Sequence, residues 1–128
     1  MKIEHVAVQV EDPQAMAAWY RDHLGFSIKR ALDTPPYMHF IADSSGSVML
    51  ELYRNEAVPL PDYRKQNALV VHIAFIAESV TTERDRLLAA GATLDQDVQT
   101  TDAGDQLAML RDPWGLPIQL VKRATPML

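Results

Sequence analysis

The sequence predicts an α+β fold built from two tandem β-α-β-β-β modules, and three observations carry that prediction. The chain repeats itself: His5-Val6-Ala7-Val8-Gln9-Val10 near the start returns as His72-Ile73-Ala74-Phe75-Ile76-Ala77. In both halves the apolar spacing passes from the period of a strand to that of a helix and then back to short strand-like runs. Turn-forming residues, Asp43-Ser44-Ser45-Gly46 in one half and Asp112-Pro113-Trp114-Gly115 in the other, then join the last two runs of each half.

The elements follow in order. After the first strand, Asp12 and Pro13 form an N-cap and first-turn pair. Met16, Trp19, Tyr20 and Leu24 recur at helical spacing, and Gly25 stands where a left-handed residue ends a helix. Strand-like runs cover Phe26 to Ala31, Tyr37 to Ala42 and Val48 to Tyr53. In the second half Ser79 caps a helix with Val80, Leu87 and Leu88 along one stripe, and Gly91 ends it. The strands there are Thr93 to Gln99, Gln106 to Leu110 and Pro117 to Val121. The reading is one domain over 1–128, with module 1 at 1–54, a Pro59- and Pro61-bearing linker at 55–67 and module 2 at 68–123. Each module has a helix for one face of its sheet only, so the opposite face awaits another cover.

Composition narrows the function classes. With 128 residues, 48% of them hydrophobic, and no apolar run near 18 residues, the chain reads as a soluble globular protein with no membrane span. Met1-Lys2-Ile3-Glu4 leads straight into a strand without a secretory pattern, and the absence of cysteine removes disulfides, thiolate metal sites and thiol nucleophiles. A cytoplasmic location is expected. The net charge of −5 and the scattered Lys and Arg residues argue against nucleic acid as a partner.

Strand alternation then gathers the polar residues. His5, Ala7 and Gln9 share one face and Val6, Val8 and Val10 the other; His72 and Ala74 oppose Ile73 and Phe75 in the same way. Each histidine is followed at nearly equal distance by a polar residue inside an apolar strand: Glu51 in Met49-Leu50-Glu51-Leu52-Tyr53 and Gln119 in Pro117-Ile118-Gln119-Leu120-Val121. A carboxylate in such a setting needs compensation, and a divalent ion supplies it. Two imidazoles, one carboxylate and one amide oxygen suit zinc, nickel, cobalt, manganese or ferrous iron better than calcium. Met38, Phe40, Met49, Tyr53, Met109 and Trp114 are candidates for a hydrophobic pocket, although core packing explains such residues more often than not. His39 cannot be assigned a face from sequence, and His23 in the last helical turn reads as a solvated group favoured by the helix dipole.

These features resemble the vicinal oxygen chelate superfamily, which includes glyoxalase I, bleomycin-resistance proteins, fosfomycin-resistance thiol transferases, methylmalonyl-CoA epimerase and extradiol dioxygenases. The resemblance spans residues 3 to 123. It includes Trp19-Tyr20-Arg21-Asp22-His23-Leu24-Gly25-Phe26 and Arg111-Asp112-Pro113-Trp114-Gly115-Leu116-Pro117-Ile118-Gln119-Leu120, similar to the family's helix end and last-strand ending. It implies sheets curled into an open barrel around a divalent metal, with His5, Glu51, His72 and Gln119 on the four ligand positions. It also implies a glyoxalase-type lyase, isomerase or epimerase that moves a proton through an enediolate. The departure is Gln119, where most metal-using members carry Glu, which leaves Glu51 as the single general base.

Alternatives stay open at this level. Glu51 could pair with Arg54 or Arg111, and the Gln119 amide could bind Glu51 or a substrate instead of a metal. A metal-free small-molecule binder of the bleomycin-resistance type, favouring a cationic ligand, is the second functional reading, and a degenerate interaction module the third. Unpaired edge strands lead to the expectation of a homodimer.

Overall fold

The computed structural model describes residues 1–127 and divides into two compact units, Met1–Pro61 and Asp62–Leu128. The first unit contains β1 (His5–Gln9), α1 (Pro13–Leu24), β2 (Ser27–Ala31), β3 (His39–Ala42) and β4 (Met49–Tyr53). The second contains β5 (Ile73–Ile76), α2 (Val80–Ala89), β6 (Thr93–Thr100), β7 (Gln106–Arg111) and β8 (Pro117–Lys122). The double β-α-β-β-β order expected from the repeat is the order found. Each unit holds an open four-stranded mixed sheet, ordered β1-β4-β3-β2 and β5-β8-β7-β6, and the two sheets do not join into a closed barrel. His72 lies one residue ahead of β5 and not inside it.

In both sheets the first strand runs parallel to the last and sits at an edge, and the other pairings are antiparallel. A parallel pair needs a crossover connection, and α1 and α2 supply it. Helix α1 starts where Asp12 accepts a hydrogen bond from the Ala15 N–H at 2.9 Å with Pro13 in its first turn, and it stops at Gly25, φ 71°. At the end of α2 the C-cap is Ala90 with an ordinary φ of −87°, and the left-handed residue is Gly91, φ 99°.

Helix α1 packs on β2, β3 and β4, burying Met16, Ala17 and Tyr20 with Ile41, Leu50 and Leu52. Helix α2 packs on β6, β7 and β8, where Val80 and Leu87 are buried with Ala108, Leu110, Ile118 and Leu120. Each fully buried aliphatic side chain of this kind contributes about 1.5–3 kcal/mol. Edge strands β1 and β5 lie beyond the main cover of the helices. Val6, on the helix side by alternation, is therefore 50% exposed, and Ile76 at the end of β5 is 88% exposed. Among the described residues no helix is long and apolar enough to cross a membrane.

The turn between β7 and β8 is built on Asp112, whose buried carboxylate accepts the Trp114 and Leu116 N–H groups, both at 2.9 Å. Arg111 ties this turn to the chain before β5 by donating to the carbonyls of Tyr63 (2.7 Å), Gln66 (2.9 Å) and Gly115 (3.2 Å), and it also pairs with Asp95. Gly115 has φ 91°, and a Cβ added there would meet the Arg64 backbone nitrogen at 3.0 Å. Gly115→Ala is expected to lower unfolding free energy by about 2 kcal/mol or more, from left-handed strain together with that backbone contact. Urea denaturation of wild type and variant checks it, and a change within experimental error would refute it.

Candidate functional site

Hydrogen-bond register gathers the candidate residues of each unit into one row across its sheet. In the first unit the row runs Ala7, Glu51, Phe40, Arg30 across β1, β4, β3 and β2. In the second it runs Ala74, Gln119, Met109, Gln96 across β5, β8, β7 and β6. Each histidine stands two residues before the alanine of its row. The repeat seen in sequence is thus a repeat of position: Glu51 and Gln119 occupy equivalent places, and so do His5 and His72. Leu50 and Leu52 on either side of Glu51, and Ile118 and Leu120 on either side of Gln119, point into the helix-packed layers. The polar side chains therefore occupy the faces the helices leave uncovered.

In the first unit the His5 Nε2 lies 3.3 Å from Glu51 Oε2, and the Glu51 side chain is 19% exposed. On the other side of the ring, Nδ1 is hydrogen-bonded to Glu4 Oε2. Phe40 stands edge-on to the imidazole, centroids 5.4 Å apart at 84°. The Glu4 hydrogen bond raises the His5 pKa above 6.5, helped by the negative charges of Glu4 and Glu51 and opposed by partial desolvation. In the second unit His72 is half-buried, its Nδ1 3.0 Å from the Ala68 carbonyl, and Gln119 is half-buried on β8, paired with Ala74. Both histidines thus have Nδ1 held by an oxygen. An N–H at Nδ1 leaves the Nε2 lone pair as the free donor, the tautomer of an imidazole ligand oriented from behind by an acceptor.

Neither arginine considered as a partner for Glu51 takes that role. Arg111 is engaged with Asp95 and three carbonyls, and Arg54 donates to the Asn55 carbonyl at 3.2 Å. The side that sequence left open for His39 is now assigned. It pairs with Leu52, is 4% exposed on the helix-packed side, and bonds the Tyr37 carbonyl through Nδ1 at 2.8 Å, so it belongs to the core. His23 lies against the indole of Trp19, ring centroids 5.3 Å apart.

Of the six residues read as pocket candidates, Phe40 and Met49 line a cavity of about 200 Å³ on the His5 and Glu51 face. Tyr53 pairs with Gln9 farther along that face, and half-buried Met38 precedes β3. In the second unit Met109 is buried in the row of Gln119, and Trp114 lies half-buried in the turn before β8. Among the described residues no group of three or more His, Cys, Asp or Glu side chains stands together as a metal-holding cluster. Each unit contributes two of the four candidate donors.

Four further residues of this face were not singled out by sequence. Glu4 orients His5, and an adjacent carboxylate at a strand start was its only signal. Gln9, 6% exposed, is a latch: its amide donates to the carbonyls of Val58 (2.9 Å) and Pro59 (3.0 Å), and its oxygen accepts the Asn55 N–H (3.1 Å). Lys29 and Arg30 both line the cavity beside Phe40.

A family profile described as Glyoxalase/Bleomycin resistance protein/Dioxygenase superfamily matches residues 2–120. An ethylmalonyl-CoA/methylmalonyl-CoA epimerase of Cereibacter sphaeroides is 31% identical over 96 residues, covering 71% of this chain and 72% of the relative. A lactoylglutathione lyase of Haemophilus influenzae is 23% identical over 128 residues, covering 95% and 93%. Among solved structures, a glyoxalase family protein from Bacillus cereus superposes with a TM-score of 0.81 at 16% identity, covering 98% of this chain and 95% of that one. This last likeness bears on the fold.

Glu4→Gln is expected to lower the His5 pKa toward 6.5, because a neutral amide removes both the charge-assisted hydrogen bond and the largest nearby negative charge. An NMR titration of the imidazole in metal-free protein measures this. An unchanged or raised midpoint would show that Glu4 does not control the ring.

Proposed function

We propose, since the chain belongs to the Glyoxalase/Bleomycin resistance protein/Dioxygenase superfamily, that it is a metal-dependent lyase, isomerase or epimerase whose ion is held by His5, Glu51, His72 and Gln119. The observation that carries this reading is the pair of equivalent rows, each with a histidine beside an oxygen-bearing side chain on its sheet's uncovered face.

The donor set fits a divalent ion on this structure's own chemistry. Both imidazoles keep Nε2 available, Glu51 brings a half-buried carboxylate with no Lys or Arg in salt-bridge contact among the described residues, and Gln119 brings a neutral oxygen. When bound, the ion would supply Lewis-acid stabilisation of negative charge developing on two adjacent substrate oxygens, a contribution of several kcal/mol.

The chain's own residues do the rest. Glu51 takes a proton from the carbon next to the substrate carbonyl and delivers it to the neighbouring carbon of the enediolate, and is the one carboxylate among the four donors. In the metal-free protein His5 Nε2 is its neighbour at 3.3 Å. Glu4 fixes the ring plane from the Nδ1 side, and Phe40 blocks its edge. Leu50 and Leu52 anchor the strand in the core, so Glu51 presents its oxygens from a rigid element. Gln119, standing where glutamate is common in the family, supplies no second carboxylate for an exchange across the substrate's two faces, so the route these residues favour is a single-base transfer between adjacent carbons on one face.

Protein stripped with chelator and titrated calorimetrically with zinc, nickel, cobalt or manganese should bind about one equivalent, and His5→Ala and His72→Ala should each weaken binding about tenfold or more. Binding should also weaken as pH falls through the His5 titration above 6.5, since an imidazolium has no lone pair to give. Absence of any divalent binding would sink the metal assignment.

Proton transfer is read separately, as incorporation of solvent deuterium at the acidic carbon of methylmalonyl-CoA or ethylmalonyl-CoA, or as turnover of lactoylglutathione. Glu51→Gln should reduce whichever activity is found by about 10²–10⁴-fold. Retention of full activity by that variant would exclude Glu51 as the base.

A further inference from the structure

A register shift in β2 places two cations beside the reacting face. Between β2 and β3 the pairing passes from Ile28 with Ile41 to Arg30 with Phe40, so Lys29 is an extra residue with no opposite number. In a regular strand neighbours point to opposite faces, and the register continued from Ile28 would have set Lys29 opposite Phe40 and turned Arg30 to the helix side. A bulge breaks that alternation. Lys29 and Arg30 accordingly line one cavity of about 200 Å³ with Phe40, Met49 and Glu4.

Two features mark this pair: its members are adjacent in one cavity wall, and among the described residues neither is neutralised by a carboxylate. Six arginines and lysines, among them Arg84, Arg111 and Arg123, are paired with carboxylates. Among the described residues Lys29 and Arg30 have no carboxylate within salt-bridge distance, although the chain carries a net charge of −5. The one acidic side chain lining the cavity, Glu4, is hydrogen-bonded to His5. Arg30 also stands in the same cross-strand row as Glu51, with Phe40 between them.

We propose that Lys29 and Arg30 form an oxyanion subsite that recognises a carboxylate or phosphate group on the substrate, with Phe40 and Met49 flanking the apolar portion that connects this group to the reacting centre. The proposal rests on the reading of His5 and Glu51 as the reacting end. The guanidinium supplies a planar fork matched to two oxygens, and Lys29 adds a mobile point charge. Phe40 serves both parts, meeting the His5 ring on one side and the cavity on the other. A substrate bound this way carries its negative group two strands away from Glu51. The cavity is thus selective for anionic substrates, despite the acidic balance of the whole chain.

The test uses metal-free full-length protein, ¹⁵N-labelled and titrated separately with malonate and with inorganic phosphate against a chloride control of equal ionic strength. Saturable shifts at the Lys29, Arg30, Phe40 and Met49 amides are expected, and the stronger of the two anions identifies a carboxylate or a phosphate as the preferred group. Lys29→Ser/Arg30→Ser should weaken that binding about fivefold or more. Glu4→Gln should strengthen it, because a negative charge leaves the cavity wall. Shifts equal to those in chloride, or unchanged affinity in the double variant, would overturn the subsite.

Calorimetric metal titration of the same double variant should match wild type, which separates the two readings. Absence of specific anion binding in the wild-type protein, with its metal binding intact, removes the subsite alone; anion binding with no metal binding in the wild type leaves the subsite and removes the metal-dependent mechanism. In metal-loaded protein, the double variant should raise KM for an anionic substrate about fivefold or more with kcat nearly unchanged, as loss of a uniform binding contact requires.

Discussion

Parallel pairing of the first strand of each unit with its last is the constraint from which the site follows. Residues 46 positions apart, His5 and Glu51, become neighbours because β1 lies hydrogen-bonded against β4. Such a pairing cannot close through a hairpin, so the chain must cross over, and the crossover is the helix. The helix then covers one face only. Alternation along β4 sends Leu50 and Leu52 into that covered layer and leaves Glu51 on the other side. The same chain of consequences, run again in the second unit, places Gln119.

The two units share geometry but differ in charge. Glu51 is half-buried between apolar neighbours and faces an imidazole whose pKa is raised, whereas the equivalent Gln119 is neutral and has no such electrostatic demand. The imidazole on the carboxylate's side is backed by the carboxylate of Glu4, and the one on the amide's side by the carbonyl of Ala68. An ionised acceptor makes the stronger hydrogen bond. The two carboxylates of this arrangement, Glu51 and Glu4, therefore both lie in the first unit.

The first unit also carries the opposite charge, delivered by an irregularity. The bulge at Lys29 turns two consecutive basic residues to one side of a strand that would have separated them. Around the row of Glu51 the protein thus assembles a carboxylate, an aromatic ring and two cations. The corresponding row of the second unit offers Gln119, Met109 and Gln96, which are neutral. Repetition of the fold has not brought repetition of charge along the two rows.

Much of this was legible in the sequence because it depends on short-range rules. The Asp12–Pro13 start and Gly25 stop of α1, the double β-α-β-β-β order, and the sharing of a face by Glu51, Met49 and Tyr53 all follow from capping chemistry and the two-residue period of a strand. The superfamily was legible for the same reason, since its motifs are local. Register was not, because it is set by which strands meet and by where a bulge falls. Only the tertiary structure therefore decided that His39 belongs to the core, that Arg111 holds the turn before β8 instead of pairing with Glu51, and that Gln9 latches the segment after β4. It alone decided that Lys29 and Arg30 share a cavity, a placement that strand alternation read from sequence rules out and an extra residue in the ladder makes.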